Sequence, residues 1–480
     1  MRRPGALLGL AALALLVLEG CRQAPKFDNV VVVLVDTLRS DHLPSYGYER
    51  DTAPYLARLA AEGIQLQGYA VTSWTKPSVA TLLTGLEPQR HQAISRSDKL
   101  PPEAPYLPEI LAGQGVDTAA FVGNLNVGQK WGFDRGFRRF EQWNGLHKVD
   151  GPRVTERALQ VAKGLQPPYF LFVHYVDPHD PYRPRQPWGG ARPAGGYVQP
   201  QRLEGRPEPP TPGELQGLRD QYDGEIREVD REIERLVKEL TARGLMERTL
   251  LVVTADHGEE FGEHGGLTHG HTLYEEVLRV PFLLWSRQGL PHRKSSQTFY
   301  LLDFAPTMIE AMGKKVPPGL DGIPRWAETV AARPQGDREL FFHLDLEGNG
   351  ALALISPHAK KLVHTSRPPF SRLTDLVKDP REQTPPQEPG RETEETMELL
   401  QRLAIHHNHL ADGALERRTT DLDPRLRRSL AALGYLQVDD SQEELEERVL
   451  PVRISPSSGM ARVWEQRQRL GPMRTGPPRP

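Results

Sequence analysis

The densest group of side chains that could bind a metal ion lies at residues 254–271, which read TADHGEEFGEHGGLTHGH. Asp256 and His257 directly follow an apolar run, and more histidines follow in a glycine-rich stretch. Carboxylate oxygens and imidazole nitrogens at the end of a strand are suited to bind a divalent ion. A polar surface loop is the alternative interpretation. The histidines, four of the 16 in the chain, are His257, His264, His269 and His271.

Thr75 begins the segment TKPSVATLLTG, which has the pattern of a short helix. Pro77 suits the first turn, and Gly85 stands just past the predicted end. The hydroxyl of Thr75 is therefore predicted at or beside the helix N-terminus, where free N–H groups and the helix dipole favour an anion. An attacking oxygen at such a position suits phosphoryl or sulfuryl transfer. The alternative is that Thr75 only caps the helix.

A further carboxylate, Asp36, ends the apolar run NVVVVLV at residues 29–35. With Asp36, the polar side chains at the ends of the predicted elements offer three oxygens and one nitrogen. These four atoms could bind one divalent ion. We call these residues the metal set: Asp36, Thr75, Asp256 and His257.

The segment HYVDPHDPY, residues 174–182, places two histidines and two aspartates at the end of another apolar run. His179 could donate a hydrogen bond to a substrate oxygen or protonate a leaving group. His174 alternates along the predicted strand and is predicted to be structural.

Four apolar runs end at polar residues of these kinds. Runs of Val, Leu and Phe without polar alternation are typical of strands buried on both faces, and so of a mostly parallel sheet between helices. Helices are predicted at residues 52–63 and 214–243, among others. Because ligands bind at the carboxyl ends of such strands, the four ends are expected at one edge. The runs are 29–35, 117–122, 169–176 and 248–255, and they end at Asp36, Gly123 with Asn124, Asp177 and Asp256.

The pattern changes near residue 335. The segments ELFFHL, GALALIS and KKLVHT indicate short antiparallel strands, and residues 395–413 indicate a helix. Residues 181–213, rich in Pro, Gly and Arg, are predicted to form a surface loop near the site. The predicted domains are a main α/β domain at 27–330, a smaller α+β subdomain at 335–437 and a disordered tail at 438–480.

The N-terminus has the composition of an export signal. Arg2 and Arg3 precede an apolar stretch, and the single cysteine, Cys21, follows the small residue Gly20. Residues 1–21 are predicted to be a signal peptide with a lipobox-like cysteine, so that a lipid on Cys21 would anchor the protein to a membrane. The protein is then expected on the periplasmic face or cell surface, at the outer membrane in a Gram-negative cell. A cleaved signal with an incidental cysteine is the alternative.

The overall charge excludes one class of partner. The chain has 60 basic and 63 acidic residues, for a net charge of −3. No basic excess exists to attract a polyanion, so no nucleic-acid partner is expected.

Several segments resemble the sulfatase family of the alkaline-phosphatase superfamily. The segment TKPSVATLLTG is similar to the family's C-x-P-S-R-x-x-L-L-T-G, and the resemblance extends in collinear order over about residues 28 to 437. It implies a mostly parallel sheet between helices with a smaller C-terminal subdomain. It also implies a divalent ion (Ca, Mn, Zn or Mg) and hydrolysis of sulfur or phosphorus esters. The other matching segments are VVVVLVDTLRSDHLPSYGYERDTAPYLARLAAEG, FLFVHYVDPHDPY, TLLVVTADHGEEFGEHGG, HGHTLYEEVLRVPF, DLVKDPREQ and LGYL.

The resemblance also implies roles for single residues. The metal set matches the family's metal ligands, with Thr75 at the nucleophile position. His179 matches a histidine that contacts the substrate anion. His269 falls where many members have a sulfate-binding lysine, and Lys76 could supply part of that missing charge. Thr37 stands where many members have a second metal aspartate, and His271 could serve a second ion or the substrate.

Thr75 is the main departure from the family pattern, together with Val79 at the arginine of C-x-P-S-R. Formylglycine is made from cysteine or serine, so Thr75 cannot become this aldehyde. A threonine hydroxyl can instead attack phosphorus or sulfur when a bound metal lowers its pKa. The sequence therefore predicts a metal-dependent hydrolase of phosphate mono- or diesters or of sulfate esters. Its substrate could be a small molecule, a glycan or a lipid. A sulfatase without formylglycine, a phospho-group transferase and a non-catalytic lipoprotein scaffold are the alternatives.

Overall fold

A computed structural model describes residues 26–145, 147–188, 200–203, 208–291, 293–331, 338–346, 348–366, 371–386 and 393–420, with Arg427 and Leu430. The predicted signal peptide with Cys21 and the predicted tail at 438–480 lie outside these residues. Residues 189–199 and 204–207 of the predicted loop at 181–213 do so too. The lipid anchor, the exported location and the domain boundaries therefore stay predictions.

Sixteen strands occur in the described part of the chain, and most are short. In chain order they are β1 (Asn29–Val35), β2 (Ile64–Tyr69), β3 (Asp98–Lys99), β4 (Asp117–Val122), β5 (Arg139–Gln142), β6 (Tyr169–Tyr175), β7 (Thr249–Thr254), β8 (Glu260–Phe261), β9 (Leu267–Thr268), β10 (Arg279–Trp285), β11 (Arg293–Tyr300), β12 (Leu340–Leu346), β13 (Asn349–Ile355), β14 (Lys360–Thr365), β15 (Ser371–Asp375) and β16 (Arg418–Thr419).

Eleven α-helices connect or cover these strands within the described residues. They are α1 (Pro54–Glu62), α2 (Thr75–Thr84), α3 (Pro88–His91), α4 (Leu107–Ala112), α5 (Gly151–Val161), α6 (Pro200–Leu203), α7 (Pro212–Ala242), α8 (Glu275–Leu278), α9 (Phe304–Ala311), α10 (Trp326–Ala331) and α11 (Glu394–Asp412). Short 3-10 turns lie at Ser40–His42, Pro44–Tyr46, Leu125–Val127, Gln129–Trp131 and Leu301–Asp303. No described helix is long and apolar enough to cross a membrane.

The central sheet has eight strands in the order β11-β2-β10-β7-β1-β6-β4-β5, and only β10 is antiparallel to its neighbours. Strand β1 lies in the middle, where Val33 pairs with Val173 on one side and Val253 on the other. All of its residues are buried because helices cover the sheet. The predicted mixed, mostly parallel α/β fold is confirmed. The unbroken apolar runs predicted it because both faces of these strands are buried.

The long helix α7 begins with a capping box between Thr211 and Glu214 and packs against α5 and α1. Its buried stripe includes Tyr222 and Glu225. The Tyr222 hydroxyl donates to the Thr37 carbonyl at 2.6 Å and accepts from the Arg39 N–H at 2.9 Å. The helix therefore holds the loop that follows β1, which begins with Asp36.

A separate antiparallel sheet, β12-β13-β14-β15, lies in the C-terminal part of the chain. Helix α11 packs on β13 and β14, with Leu399 and Leu403 in the shared apolar cluster. Three of the strands were predicted and β15 was not, because its sequence SRLTD has no apolar run. The predicted α+β character of this part is confirmed.

Candidate metal-dependent active site

Four neighbouring parallel strands, β7, β1, β6 and β4, bring their carboxyl ends to one edge of the sheet. The backbone continues this alignment past the strands, because Asp36 donates its N–H to the Tyr175 carbonyl at 2.9 Å. Gly123 likewise donates to the His174 carbonyl at 3.1 Å. A Cβ on Gly123 would come within 2.6 Å of Val176, so only glycine allows this close approach. The polar residues after these strands therefore meet.

The structure brings the four residues of the metal set together at this edge. The Thr75 Oγ1 lies 3.3 Å from the Nε2 of His257. That nitrogen lies 3.8 Å from Asp36 Oδ1 and 3.4 Å from Asp256 Oδ2. All four side chains are buried. Three oxygens thus lie within 3.8 Å of one imidazole nitrogen, so four potential ligand atoms form one cluster.

His257 is oriented as a metal ligand. Its Nδ1 lies 2.9 Å from the Gly258 carbonyl, which can only accept a hydrogen bond, so Nδ1 carries the proton. The lone pair of Nε2 therefore faces the two carboxylates. Metal-binding histidines usually hold their second nitrogen in this way.

The carboxylates Asp36 and Asp256 supply the test of whether a cation fits. Within the described residues, Asp36 Oδ1 and Asp256 Oδ2 are buried without a hydrogen-bond partner. Buried carboxylate oxygens without a donor are costly unless a cation balances them. The site is therefore suited to a divalent ion, which the metal set would hold.

The pKa values of the two carboxyls respond to each other. Burial raises the pKa of Asp36, but the hydrogen bond with His174 and the charges of the nearby histidines lower it by a larger amount. The pKa of Asp36 therefore lies below its usual range. Burial and the charge of Asp36 raise the pKa of Asp256. The repulsion between the two groups is the kind that a shared cation would relieve.

Thr75 is the first residue of α2, one position after the N-cap residue Trp74. The helix ends at Thr84, and Gly85 follows it in the left-handed conformation at φ 65°. The Ser78 hydroxyl donates to the Asp256 carbonyl at 2.6 Å, which ties the first turn to the end of β7. The predicted position beside the helix N-terminus agrees with the structure, and the hydroxyl points into the metal set.

Asn124 was not among the predicted site residues, although the end of its strand was. Its Nδ2 donates to Asp36 Oδ2 at 2.6 Å and lies 3.5 Å from Thr75 Oγ1. The signal that could have found it is its place directly after β4, at the same edge as Asp36. The amide holds one carboxylate oxygen and leaves the other for the cation.

A second group of donor atoms lies beside the metal set. His179, Asp180 and His269 each offer one atom, and these atoms lie within 4.8 Å of one another. The Nδ1 of His269 pairs with Glu259 Oε1 at 2.8 Å. Burial and the neighbouring histidines lower the pKa of His269 well below its usual value, and Arg96 adds to this effect. Neither Glu259 nor Arg96 was predicted from sequence.

Lys148 holds the loop of His179 in place. Its Nζ donates to the His179 carbonyl at 2.6 Å and to both oxygens of Glu225 at 2.8 Å, and it forms an ion pair with Asp177 Oδ1 at 2.8 Å. All three charged side chains are buried. The sequence did not indicate this triad, since its members are far apart in the chain.

The predicted role of Lys76 needs correction. Its Nζ donates to the carbonyls of Ser95, Arg96 and Asp98 and lies 3.5 Å from the ring centroid of Trp131. The positive charge of Lys76 therefore lies among the backbone carbonyls of segment 95–98. Successive residues of a helix point about 100° apart, so the neighbour of Thr75 faces elsewhere. Lys76 is therefore not placed to bind the substrate anion.

Thr37, His271 and His174 complete the placement of the predicted residues. Thr37 has φ 56° and donates its N–H to Asp256 Oδ1 at 3.3 Å, so it orients a metal-set carboxylate. The Nε2 of His271 lies 3.4 Å from Glu260 Oε1. Within the described residues, neither group of potential metal ligands includes His271. His174 Nε2 lies 3.5 Å from Asp36 Oδ2, and His174 offers a ligand atom within 4.8 Å of ligand atoms of Asp36 and Asp256. This histidine, predicted to be structural, therefore belongs to a group of potential metal ligands.

Comparison with known proteins identifies the family. Residues 28–314 match the family model described as Sulfatase. The chain belongs to the sulfatase family. It is therefore an ester hydrolase of a family that normally binds a divalent metal ion. The sequence is 27% identical over 322 residues to the low-salt glycan biosynthesis sulfotransferase Agl7 of Haloferax volcanii, covering 65% of this chain and 67% of that one.

Solved structures show the same fold at low identity. A phosphonate monoester hydrolase from Silicibacter pomeroyi superposes with a TM-score of 0.67 at 19% identity, covering 82% of this chain and 99% of that one. A protein solved in complex with its substrate D-glucosamine-2-N,6-O-disulfate superposes with a TM-score of 0.66 at 18% identity, covering 81% and 99%. These structural neighbours confirm the fold class of the central sheet.

Proposed function

We propose that this sulfatase-family protein hydrolyses phosphate mono- or diesters or sulfate esters with Thr75 as its nucleophile. One observation carries the proposal: Thr75 Oγ1 lies 3.3 Å from Nε2 of His257, and the same nitrogen lies 3.8 Å from Asp36 Oδ1 and 3.4 Å from Asp256 Oδ2. A hydroxyl that only caps a helix would not need two buried carboxylates and an imidazole around it.

The side chains at the site have distinct tasks. A divalent ion bound by the metal set would act as a Lewis acid that lowers the pKa of the Thr75 hydroxyl and neutralises the attacked group. The Thr75 hydroxyl releases its proton to solvent, and its oxygen bonds to phosphorus or sulfur while the bond to the ester oxygen breaks. The leaving alcohol takes a proton from solvent. Water then attacks the phospho- or sulfo-threonine and restores the hydroxyl. This step releases the inorganic anion from a monoester, or a phosphate monoester from a diester.

A threonine nucleophile requires a different release step from a formylglycine nucleophile. An aldehyde hydrate can expel sulfate by collapsing back to the aldehyde, but a threonine ester has no such route. Release of the phosphoryl or sulfuryl group from Thr75 requires a second attack at phosphorus or sulfur. The attacking water or alcohol must therefore be held close to the threonine ester. The helix N-terminus at Thr75 and the buried donors around it are suited to hold the anion during both steps.

Group transfer to an alcohol is the second candidate. The relative described as a glycan sulfotransferase supports it, because the same first step can be followed by a sugar hydroxyl instead of water. The neighbour bound to a sulfated glucosamine supports a glycan as the substrate class. Product formation that depends on an added acceptor would distinguish transfer from hydrolysis.

The test is a panel of phosphomonoester, phosphodiester and aryl sulfate model substrates with Mn, Zn, Mg and Ca. We expect turnover of at least one ester class, and Thr75→Ala should lower it by roughly 10³-fold or more. Thr241→Ala, at the far end of α7, is the matched control and should retain full activity. Mass spectrometry of a quenched reaction should find the added group on Thr75. Absence of turnover with every metal, or full activity of Thr75→Ala, would overturn the proposal.

A further inference from the structure

The segment DLVKDPREQ at residues 375–383 turns one carboxylate into the protein interior. The Asp379 carboxylate accepts the N–H groups of Gln383 at 2.9 Å and Thr384 at 2.7 Å, which closes the turn. Glu382, within this turn, is buried and has φ 52°. A residue other than glycine keeps this left-handed conformation only where the surrounding contacts fix it. The side chain of Glu382 is therefore held in a defined direction.

Lys361 and Glu275 meet the Glu382 carboxylate, and these three residues are here called the Lys361 clasp. The Lys361 Nζ, on β14, donates to Glu275 Oε1 at 2.9 Å and to Glu382 Oε2 at 3.0 Å. Glu382 Oε2 also accepts the Glu275 N–H at 2.8 Å, and the Tyr69 hydroxyl donates to Glu275 Oε2 at 2.6 Å. No side chain of the clasp is more than 8% exposed. Charge-assisted hydrogen bonds are strong and specific in geometry, so the clasp ties the C-terminal sheet to the first residue of α8.

A second set of contacts holds the same end of α8. The ring of His264 stacks on that of Tyr274, the residue before the helix, with centroids 3.6 Å apart and planes at 9°. The Nδ1 of His264 lies 2.6 Å from Glu276 Oε1, and its Nε2 lies 3.2 Å from the Glu382 carbonyl. Arg372 donates to the Tyr274 hydroxyl at 2.8 Å and to the Glu382 carbonyl at 2.6 Å. The start of α8 is thus fixed relative to the C-terminal sheet.

Helix α8 in turn contacts the residue that orients His257. The Gly258 N–H donates to the Val277 carbonyl at 2.8 Å. A Cβ on Gly258 would lie 2.0 Å from the Glu276 carbonyl oxygen, so the backbone at this glycine lies directly against the helix. The Gly258 carbonyl accepts the Nδ1 proton of His257 at 2.9 Å, the bond that turns Nε2 toward the two carboxylates. The direction of this metal ligand therefore depends on where α8 lies.

We propose that the Lys361 clasp positions His257 as a metal ligand. Lys361 acts through α8 and Gly258, and not on the ion or the substrate, so it is a positioning residue. A clasp that only stabilised the fold would change the free energy of unfolding and leave the metal affinity of the folded protein unchanged. The effect of the clasp on turnover rests on the proposed function, whereas its effect on metal affinity does not.

Calorimetric titration of the purified full chain with Zn²⁺, at a temperature where unfolding curves show each variant to be folded, tests the inference. Lys361→Met should have a Zn²⁺ affinity lower than that of wild type by about tenfold or more, because groups that orient metal ligands have effects of about 10–100-fold. Asp230→Ala is the matched control. The Asp230 carboxylate accepts the N–H groups of Tyr55 at 3.0 Å and Leu56 at 2.8 Å, where α7 packs on α1. This variant should lose stability and keep the wild-type affinity.

The double variant Lys361→Met with Glu382→Leu separates positioning from stability. Replacing both buried charges by apolar residues should restore part of the free energy of unfolding that Lys361→Met loses. The bonds to Glu275 stay absent, so the Zn²⁺ affinity should stay low. The double variant also carries the test if Lys361→Met does not fold.

Three results would overturn the role of the clasp. They are wild-type affinity in folded Lys361→Met, an affinity that recovers with stability in the double variant, and an equal loss of affinity in Asp230→Ala. The ester panel is scored separately. Weaker Zn²⁺ binding by the clasp variants, without turnover of any ester by wild type, supports the clasp and rejects the proposed function. Turnover that depends on Thr75, with wild-type affinity in Lys361→Met, does the opposite.

Discussion

The side chain of Asn124 donates a 2.6 Å hydrogen bond to Asp36 Oδ2, the oxygen opposite the one that faces His257. We expect Asn124→Ala to lower both metal affinity and ester turnover by about 10–100-fold, because groups that orient metal ligands have effects of this size. Metal titration and steady-state kinetics measure the two quantities. Asn144→Ala, at an exposed position, is the control. Unchanged affinity in Asn124→Ala would show that Asp36 needs no support from the amide.

Thr75→Ser should retain most of the activity that Thr75→Ala loses. Serine keeps the hydroxyl at the first helical position and loses only the methyl group that restricts its rotamer. We expect a turnover number within about tenfold of wild type, since the chemistry at the oxygen is unchanged. Steady-state kinetics with the best model ester provide the measurement. A serine variant as inactive as the alanine variant would argue that the hydroxyl is not the attacking group.

The sequence predicted the sheet and the metal set because both depend on local patterns. Apolar runs buried on both faces marked the strands, and the residue after each run marked the edge. Asn124 carried no metal signature, and Lys148 meets Glu225 across 77 positions, a contact that only the folded chain reveals. Lys76 was wrongly placed because adjacency in sequence is not adjacency on a helix. Residues that support the site are thus harder to predict than those that form it.

Lys148→Met should destabilise the fold and slow catalysis. The substitution leaves Asp177 and Glu225 buried together without their cation, and breaking such a pair costs roughly 3–5 kcal/mol. It also frees the His179 carbonyl. Denaturant unfolding should show the loss, and the double variant Lys148→Met with Glu225→Gln should recover part of it because one uncompensated charge is removed. A Lys148→Met protein as stable as wild type would mean that the triad is not ionised.

His91 makes the fold sensitive to acid. It is fully buried, its Nδ1 accepts from the Ala93 N–H at 3.1 Å, and burial lowers its pKa from 6.5 to about 3. Between those values the unfolded chain binds the extra proton, so stability falls as pH falls below 6.5. At pH 5 the loss from this residue is about 2 kcal/mol.

Unfolding of wild type and His91→Gln at pH 7 and pH 5 tests this effect. The variant should lose about 2 kcal/mol less over that interval, whatever its stability at pH 7. His147→Gln is the control because His147 is exposed, and it should follow the wild-type slope. Equal slopes for wild type and His91→Gln would locate the acid sensitivity elsewhere.

Removal of metal should destabilise the wild-type protein more than it destabilises the Asp256→Asn variant. Without a cation, Asp36 and Asp256 are buried carboxyls that repel each other, and the substitution removes one charge. A ligand at 100 times its dissociation constant stabilises the folded state by about 2.7 kcal/mol per site. We therefore expect chelator-treated Asp256→Asn to melt at or above chelator-treated wild type and to gain less on metal addition. Asp412→Asn, an exposed control, should match wild type in both states. An equal gain for Asp256→Asn and wild type would remove Asp256 from the metal set.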